Sequence, residues 1–184
     1  MPLNSFAVWN DVFAPAELDA IAQAGDRMIR QSATITTGSK SDPALRVTSV
    51  AWFAPGPEHG ALFAKIGATV QRLNAQFFRF DVSELEPMQY AVYNGVEGGH
   101  YGWHVDCGPS NVKPRKLSLS IQLSDPGDYE GCDLQFRFGP GIETAPRARG
   151  AVIAFPSFYL HRVTPVASGT RKALVVWANG PDFR

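Results

Sequence analysis

The chain has 184 residues (20.0 kDa), and 17 Lys and Arg balance 17 Asp and Glu, so its formal net charge is zero. With 45% hydrophobic and 18% charged residues it reads as one globular domain with enough chain for a sizeable core. No basic run marks a nucleic-acid backbone or an anionic membrane as partner, and no apolar run approaches the roughly 20 residues that a bilayer span needs.

Met1 to Ser5 lacks a basic segment followed by an apolar one, so no secretory signal is expected and the setting reads as cytoplasmic. Cys107 and Cys132 form neither a C-x-x-C pair nor a disulfide framework, and both are expected reduced. Phe6 to Phe13 opens the fold as a strand or turn. Pro15 suits the first turn of a helix, where its missing N–H costs nothing. Leu18, Ile21, Ala22, Met28 and Ile29 then follow a helical period to about Arg30.

Ser32 to Pro43 is rich in Ser, Thr, Gly and Lys around a strand-like Thr34-Ile35-Thr36. An exposed hairpin and a mobile lid are both open readings there, and Ser32–Thr48 is where substrate contacts are expected. Arg46 to Phe53 alternates as a strand does. After Gly56-Pro57, Leu62, Ile66, Val70, Leu73 and Phe77 repeat at three to four residues, a helix whose apolar stripe faces a sheet.

From Pro87 the period changes to two. Met88–Tyr93, Gly102–Asp106, Lys116–Leu123, Cys132–Phe138, Ala151–Phe155, Arg162–Thr164 and Lys172–Ala178 are short strand candidates separated by Gly, Pro, Asp and Ser clusters. Two helices followed by seven or more strands predict an α+β, mainly β fold: a double-stranded β-helix, or jelly roll, with the helices buttressing one sheet. One domain is expected over 1–184, with a helical and strand part at 1–86 and a metal-binding core at 87–180.

The most specific chemistry lies in His104-Val105-Asp106. In an extended strand, side chains at i and i+2 leave one face, so an imidazole and a carboxylate project together. These are two thirds of a facial site of two His and one carboxylate, the set that suits non-haem Fe(II). The chain has four histidines. His59 reads as surface, and His100 lies in a Gly-rich approach that does not share a face with His104. His161 follows a strand and the turn Pro156-Ser157. Ten residues later Arg171 opens another strand. Facing inward, it would need an anion such as a dicarboxylate to pair with its guanidinium fork. Facing outward, it is a solvated turn residue beside Lys172. Local sequence alone favours the outward reading.

The order Tyr93…His104-x-Asp106…His161…Arg171 resembles the Fe(II)/2-oxoglutarate-dependent dioxygenase superfamily, and within it the prolyl 4-hydroxylase-like branch that includes PKHD-type hydroxylases. The likeness runs from about Phe6 to Trp177. It is densest over Gln89–Asp106, over Leu117–Ser124 with Asp125-Pro126, and over Phe155-Pro156-Ser157 and Leu160–Val166. The resemblance implies His104, Asp106 and His161 as Fe(II) ligands and catalytic residues, with Arg171 on the distal carboxylate of 2-oxoglutarate. It implies Tyr93 near the cosubstrate, Tyr101 as a pocket lining and ascorbate as a reductant. Two departures stand out. Tyr93 to His104 is one residue longer than usual, and Gln122 stands where some relatives place a tyrosine against the distal carboxylate.

Other residues keep two readings each. Arg115 is a basic residue at the cavity mouth or a solvated loop arginine. Trp103 and Trp177 pack the core or line the pocket. Ser118, Ser120 and Gln122 share a strand face that lines a cavity or meets water. The implied activity is hydroxylation of a C–H bond in a small molecule, amino acid or peptidyl residue, coupled to decarboxylation of 2-oxoglutarate by O2. Demethylation by the same iron chemistry and a non-catalytic metal- or anion-binding jelly roll are the alternatives.

Overall fold

The computed structural model describes residues 6–33, 42–107 and 114–182. Within them the first strands are β1 (Ala7–Trp9), β2 (Gln31–Ser32), β3 (Arg46–Val47), β4 (Ser49–Phe53), β5 (Glu84–Leu85), β6 (Met88–Asn94) and β7 (His100–His104). There follow β8 (Arg115–Gln122), β9 (Tyr129–Gly131), β10 (Leu134–Phe138), β11 (Gly141–Thr144), β12 (Val152–Pro156), β13 (His161–Val163) and β14 (Val166–Asn179). Two helices, α1 (Pro15–Arg27) and α2 (Gly60–Leu73), precede β5.

The strands form two antiparallel sheets, as a jelly roll requires. The larger runs β1-β12-β8-β14-β6-β4-β2, with β5 and β9 also on β14; the smaller runs β11-β10-β13-β7-β3. Period-two alternation decides what each face of the larger sheet meets. Leu117, Leu119 and Ile121 of β8, Tyr90 and Val92 of β6, and Leu174 and Val176 of β14 join Leu18, Ile21, Ile66, Val70 and Leu73 of the helices in one apolar core. The alternate residues Ser118, Ser120, Gln122, Gln89, Tyr93 and Arg171 are also buried, but on the face turned to the smaller sheet. There Ala91, Ile153 and Phe155 pack with Leu134, Phe136 and Val163 in a second core. The polar face of β8 is therefore interior.

Local chemistry sets the helix ends. Pro15 opens α1 and Glu17 accepts the Ala14 N–H at 2.7 Å, satisfying one free donor of the first turn. Lys65 of α2 reaches Glu17 at 2.6 Å and ties the helices together. α1 stops at Arg27 rather than Arg30 because Met28 is extended, which leaves Ile29 90% exposed instead of on the buried stripe. α2 passes into a π-helical turn over Asn74–Phe78 that ends at Arg79 with φ 59°. The wider turn rotates Phe77 out of the stripe, and it is 46% exposed.

The expected strand over Arg46–Phe53 divides at Thr48. β3 joins the smaller sheet through Arg46 opposite Tyr101, whereas β4 joins the larger through Val50 opposite Ala91. A crossing between sheets thus brings Arg46 to the interior. Thr34-Ile35-Thr36 and the rest of 34–41 lie outside the described residues.

Two predictions arise from the packing of α1. Gly25 lies against Tyr90, and a Cβ there would come 2.5 Å from the ring. Helix propensity favours Gly25→Ala by about 1 kcal/mol, but overpacking against a buried ring costs about 1–3 kcal/mol. The expected result is a lower melting temperature; a rise would show that the ring gives way.

The second concerns acid stability. Asp26 accepts from Tyr90 Oη at 2.8 Å and from Lys172 Nζ at 2.6 Å, with Arg30 at 3.3 Å. Burial alone would raise its carboxyl, yet the hydrogen bonds from Lys172 and Tyr90 and the charges of Lys172 and Arg30 hold it below the usual carboxylate range. A depressed folded-state pKa stabilises the fold above the unfolded value of about 3.9, and that stability is lost as pH falls through the folded value. Asp26→Asn should therefore lower the unfolding free energy from urea titration at pH 7, by about 1 kcal/mol or less for partly exposed pairs. The gap from wild type should close towards pH 3; a gap that widens on acidification contradicts this account.

Candidate metal centre

β7 and β13 pair antiparallel with His104 directly opposite His161, so two distant histidines become neighbours with ring centroids 4.2 Å apart. Each imidazole is oriented by a backbone carbonyl two residues upstream. His104 Nδ1 lies 2.8 Å from Gly102 O, and His161 Nδ1 lies 2.9 Å from Tyr159 O. A proton on Nδ1 donates to each carbonyl and leaves each Nε2 bare to ligate. Those Nε2 atoms lie 3.7 Å from Asp106 Oδ1 and 3.7 Å from Asp106 Oδ2 respectively. The three ligand atoms fall within 4.8 Å of one another.

Asp106 reaches this place by a different route from the expected one. β7 ends at His104, so a shared strand face does not hold the carboxylate. Instead the Asp106 and Cys107 N–H groups both donate to Ser157 O, at 2.8 and 3.1 Å. Ser118 Oγ donates to Asp106 Oδ2 at 2.7 Å and lies 2.9 Å from Ser157 Oγ. Both serines are fully buried. A hydroxyl pair beneath the carboxylate fixes its orientation, as carboxylate ligands need.

Electrostatics keep the group ready for a cation. Burial, with a further contribution from His161, pushes the His104 imidazole down to about 3, so it is neutral at pH 7. For Asp106, burial acts upward, but His161, His104 and the Ser118 hydrogen bond outweigh it and hold the carboxyl below its usual range. A neutral imidazole and an ionised carboxylate are the ligating forms.

The three residues open onto a cavity of about 650 Å³. Arg171 lines it from β14, opposite Tyr93 of β6, and is 2% exposed. Its Nε donates to Gln122 Oε1 at 3.1 Å, its guanidinium carbon lies 5.5 Å from the Tyr93 ring centre, and its Nη2 has no partner. The outward, solvated reading of Arg171 is thus corrected. Gln122 lies beside it, with its amide oxygen accepting from Arg171, and Ser120, two residues earlier on the same face, lines the cavity.

Tyr101 lines the cavity and stacks on His104 at 3.4 Å between ring centres. Trp103 does not line it. One residue from His104, it leaves the opposite face of β7 and lies under the Arg162 guanidinium at 4.6 Å. Trp177 lines the cavity, with Arg115 3.9 Å above its ring centre. Arg115 also lines it, held to Glu86 at 2.8 and 2.6 Å, so its fork meets a carboxylate of its own chain. His59 and His100 stand outside the metal group. Both cysteines are free, and burial pushes the Cys132 thiol up to about 11. Sequence reasoning gave Gln89, Trp52 and Glu86 no site role and reached Arg46 only as part of the Ser32–Thr48 stretch expected to contact substrate, yet all four line the cavity. Their only local signal is strand alternation, which does not tell an inner face from an outer one.

A jelly roll carrying two histidines and one aspartate, with a buried arginine lining the same cavity, presents the donor set of a mononuclear non-haem metal site of the facial type. The model of the 2OG-Fe(II) oxygenase superfamily matches residues 88–179. A PKHD-type hydroxylase of Paraburkholderia phytofirmans is 32% identical over 171 residues, covering 86% of this chain and 70% of that protein. A PKHD-type hydroxylase of a Synechococcus strain is 42% identical over 80 residues, covering 44% of this chain and only 36% of that one. The chain belongs to the 2OG-Fe(II) oxygenase superfamily.

Solved structures agree on the fold. A Pseudomonas putida prolyl-4-hydroxylase superposes with a TM-score of 0.76 at 19% identity, covering 95% of this chain and 92% of that one. A Trichoplax adhaerens prolyl hydroxylase in complex with a hypoxia inducible factor peptide fragment gives 0.74 at 17%, covering 96% and 84%. Among the described residues no helix is long and apolar enough to cross a membrane.

The two serines under Asp106 generate a prediction. Ser118→Ala removes the hydrogen bond to Oδ2 while changing little volume, so Mn(II) affinity should fall about tenfold. Isothermal titration alongside a melting curve checks this. Unchanged affinity at unchanged stability would show that the hydroxyl plays no part in positioning the carboxylate.

Proposed function

We propose that the protein is a hydroxylase that binds Fe(II) through His104, Asp106 and His161 and 2-oxoglutarate through Arg171. The observation that carries this reading is Arg171 Nη2, a buried donor without a partner on a residue that lines the cavity of the metal group. An unpaired buried guanidinium donor is costly, and a carboxylate satisfies it with a charge-assisted hydrogen bond. The donor set fits the metal too, since two imidazole nitrogens and one carboxylate leave positions open for an α-keto acid and O2. When bound, Fe(II) supplies the oxidising chemistry in which 2-oxoglutarate, O2 and a substrate C–H group become succinate, CO2 and the hydroxylated product.

The chain's residues do the positioning. Gln122 holds the Nε side of Arg171 and so aims the rest of the fork into the cavity. Tyr93, on the neighbouring strand, walls in the guanidinium. Leu134, Phe155 and Val163 line the cavity with apolar surface and limit water beside the metal group. The reading includes ascorbate as a reductant, in keeping with the family resemblance. The two free thiols favour a reducing compartment.

An anaerobic titration with Fe(II) and 2-oxoglutarate, followed through the visible charge-transfer band of the chelate, tests the proposal. Wild type should show the band and His161→Ala should lose it. Arg171→Ala should weaken 2-oxoglutarate roughly 30-fold or more, the usual effect of stripping one partner from a buried charge pair. Metal binding without any band in wild type would leave a metal-binding jelly roll instead.

A further inference from the structure

Arg46 is as unusual as Arg171 and has no role in the chemistry above. It is 9% exposed, lines the same cavity and comes from β3, the short strand at the edge of the smaller sheet. Its Nη2 donates to Gln89 Oε1 at 2.8 Å, and its guanidinium carbon lies 4.4 Å from the centre of the Tyr101 ring. Tyr101 also stacks on the ligand His104, so a single ring touches both the arginine and the metal group. The buried Arg46 Nε has no partner.

Charge accounting gives this a direction. The cavity lining carries three arginines, Arg46, Arg115 and Arg171, and two carboxylates, Glu86 and Asp106. Glu86 is committed to Arg115 and Asp106 to the metal group. Among the described residues no carboxylate forms an ion pair with Arg46, and no residue outside them is an Asp or Glu. The dication and the 2-oxoglutarate dianion cancel when both are bound. One positive charge is then left over, and it sits on Arg46, a guanidinium removed from water and held by one neutral amide. Burying such a charge is costly unless an anion completes it.

We propose that Arg46 is the substrate's anchor: it binds a free carboxylate of the molecule to be hydroxylated, so the substrate is a small carboxylic acid, such as a free amino acid, rather than a residue inside a peptide chain. The inference rests on the hydroxylase reading and deepens it. Gln89 and the Tyr101 ring fix the guanidinium plane, and a planar fork favours a carboxylate over a neutral carbonyl. Placing the anchor one aromatic ring from His104 holds a short molecule beside the metal group.

The test uses propionate labelled with ¹³C at its carboxyl carbon as the probe. Protein loaded with Mn(II) and saturating 2-oxoglutarate is titrated, and paramagnetic relaxation of the labelled carbon reports occupancy beside the metal. Wild type should relax the probe saturably. Arg46→Gln should bind it about tenfold or more weakly, the usual loss of a charged hydrogen bond. Arg46→Lys, which keeps the charge without the fork, should recover part of the affinity. Propionamide should not compete.

No saturable binding to wild type, or equal binding to Arg46→Gln, overturns the proposal. So does propionamide competing as well as propionate, since Arg46 would then accept a neutral carbonyl such as a peptide's. The Fe(II)–2-oxoglutarate band separates the two levels of failure. Its absence from wild type sinks the hydroxylase reading itself. A band in wild type and in Arg46→Gln, without Arg46-dependent binding of propionate, removes only the carboxylate anchor.

Discussion

Two imidazoles that the chain carries far apart meet because β7 and β13 run antiparallel with His104 opposite His161. A shift of one residue in that pairing would turn one ring to the other face of the smaller sheet, since side-chain direction alternates along a strand. Register is therefore the constraint on which the site depends. It is held on both sides, by β3 against β7 and by β10 against β13. Asp106 is set by the same region of chain, because the Ser157 carbonyl that receives its N–H lies in the turn between β12 and β13. Ligand geometry and strand pairing are one problem in this fold.

The larger sheet solves the complementary problem of placing polar groups inside. Its outer face is closed by α1 and α2, whose Leu18, Ile21, Ile66, Val70 and Leu73 cover the leucines and isoleucine of β8. This apolar layer holds the strands while leaving their inner residues free to be polar. On the inner face Ser118 pairs with Asp106 and Ser157, Gln122 with Arg171 and Gln89 with Arg46. Such networks carry a high penalty when incomplete. The groups left incomplete include one donor on each of the two cavity arginines without a carboxylate partner. A binding site is where an unfinished network belongs, because the ligand finishes it.

The three cavity arginines illustrate how partners assign roles to one residue type. Arg115 is neutralised in a two-bond pair with Glu86 and stacks on Trp177, which makes it part of the wall. Arg171 is aimed by an amide and lies next to a phenol ring. Arg46 is aimed by an amide and lies over a phenol ring. The last two keep their charge available, in keeping with two separate acidic groups entering one cavity.

By itself the sequence determined the mainly β class and the two helices, because these rest on periods of two and 3.6 within a few residues. It pointed to His104, Asp106 and His161 only through an order of distant residues that resembles a known family. What it left open are matters of facing. Arg171 reads locally as a solvated turn residue, Trp103 as core or pocket wall, and Gln122 as part of a face that lines a cavity or meets water. Only the pairing of β14 with β6 and β8 turns Arg171 inward and brings the Gln122 amide onto it. Only the irregular pairing of β7 with β13, which puts Tyr101 and His104 together on the cavity side, turns Trp103 away. Arg46 entered the site through a break at Thr48 that sends β3 and β4 to different sheets. Alternation marks two faces on every strand, but which face looks inward is decided by what packs against it, and that information lies elsewhere in the chain.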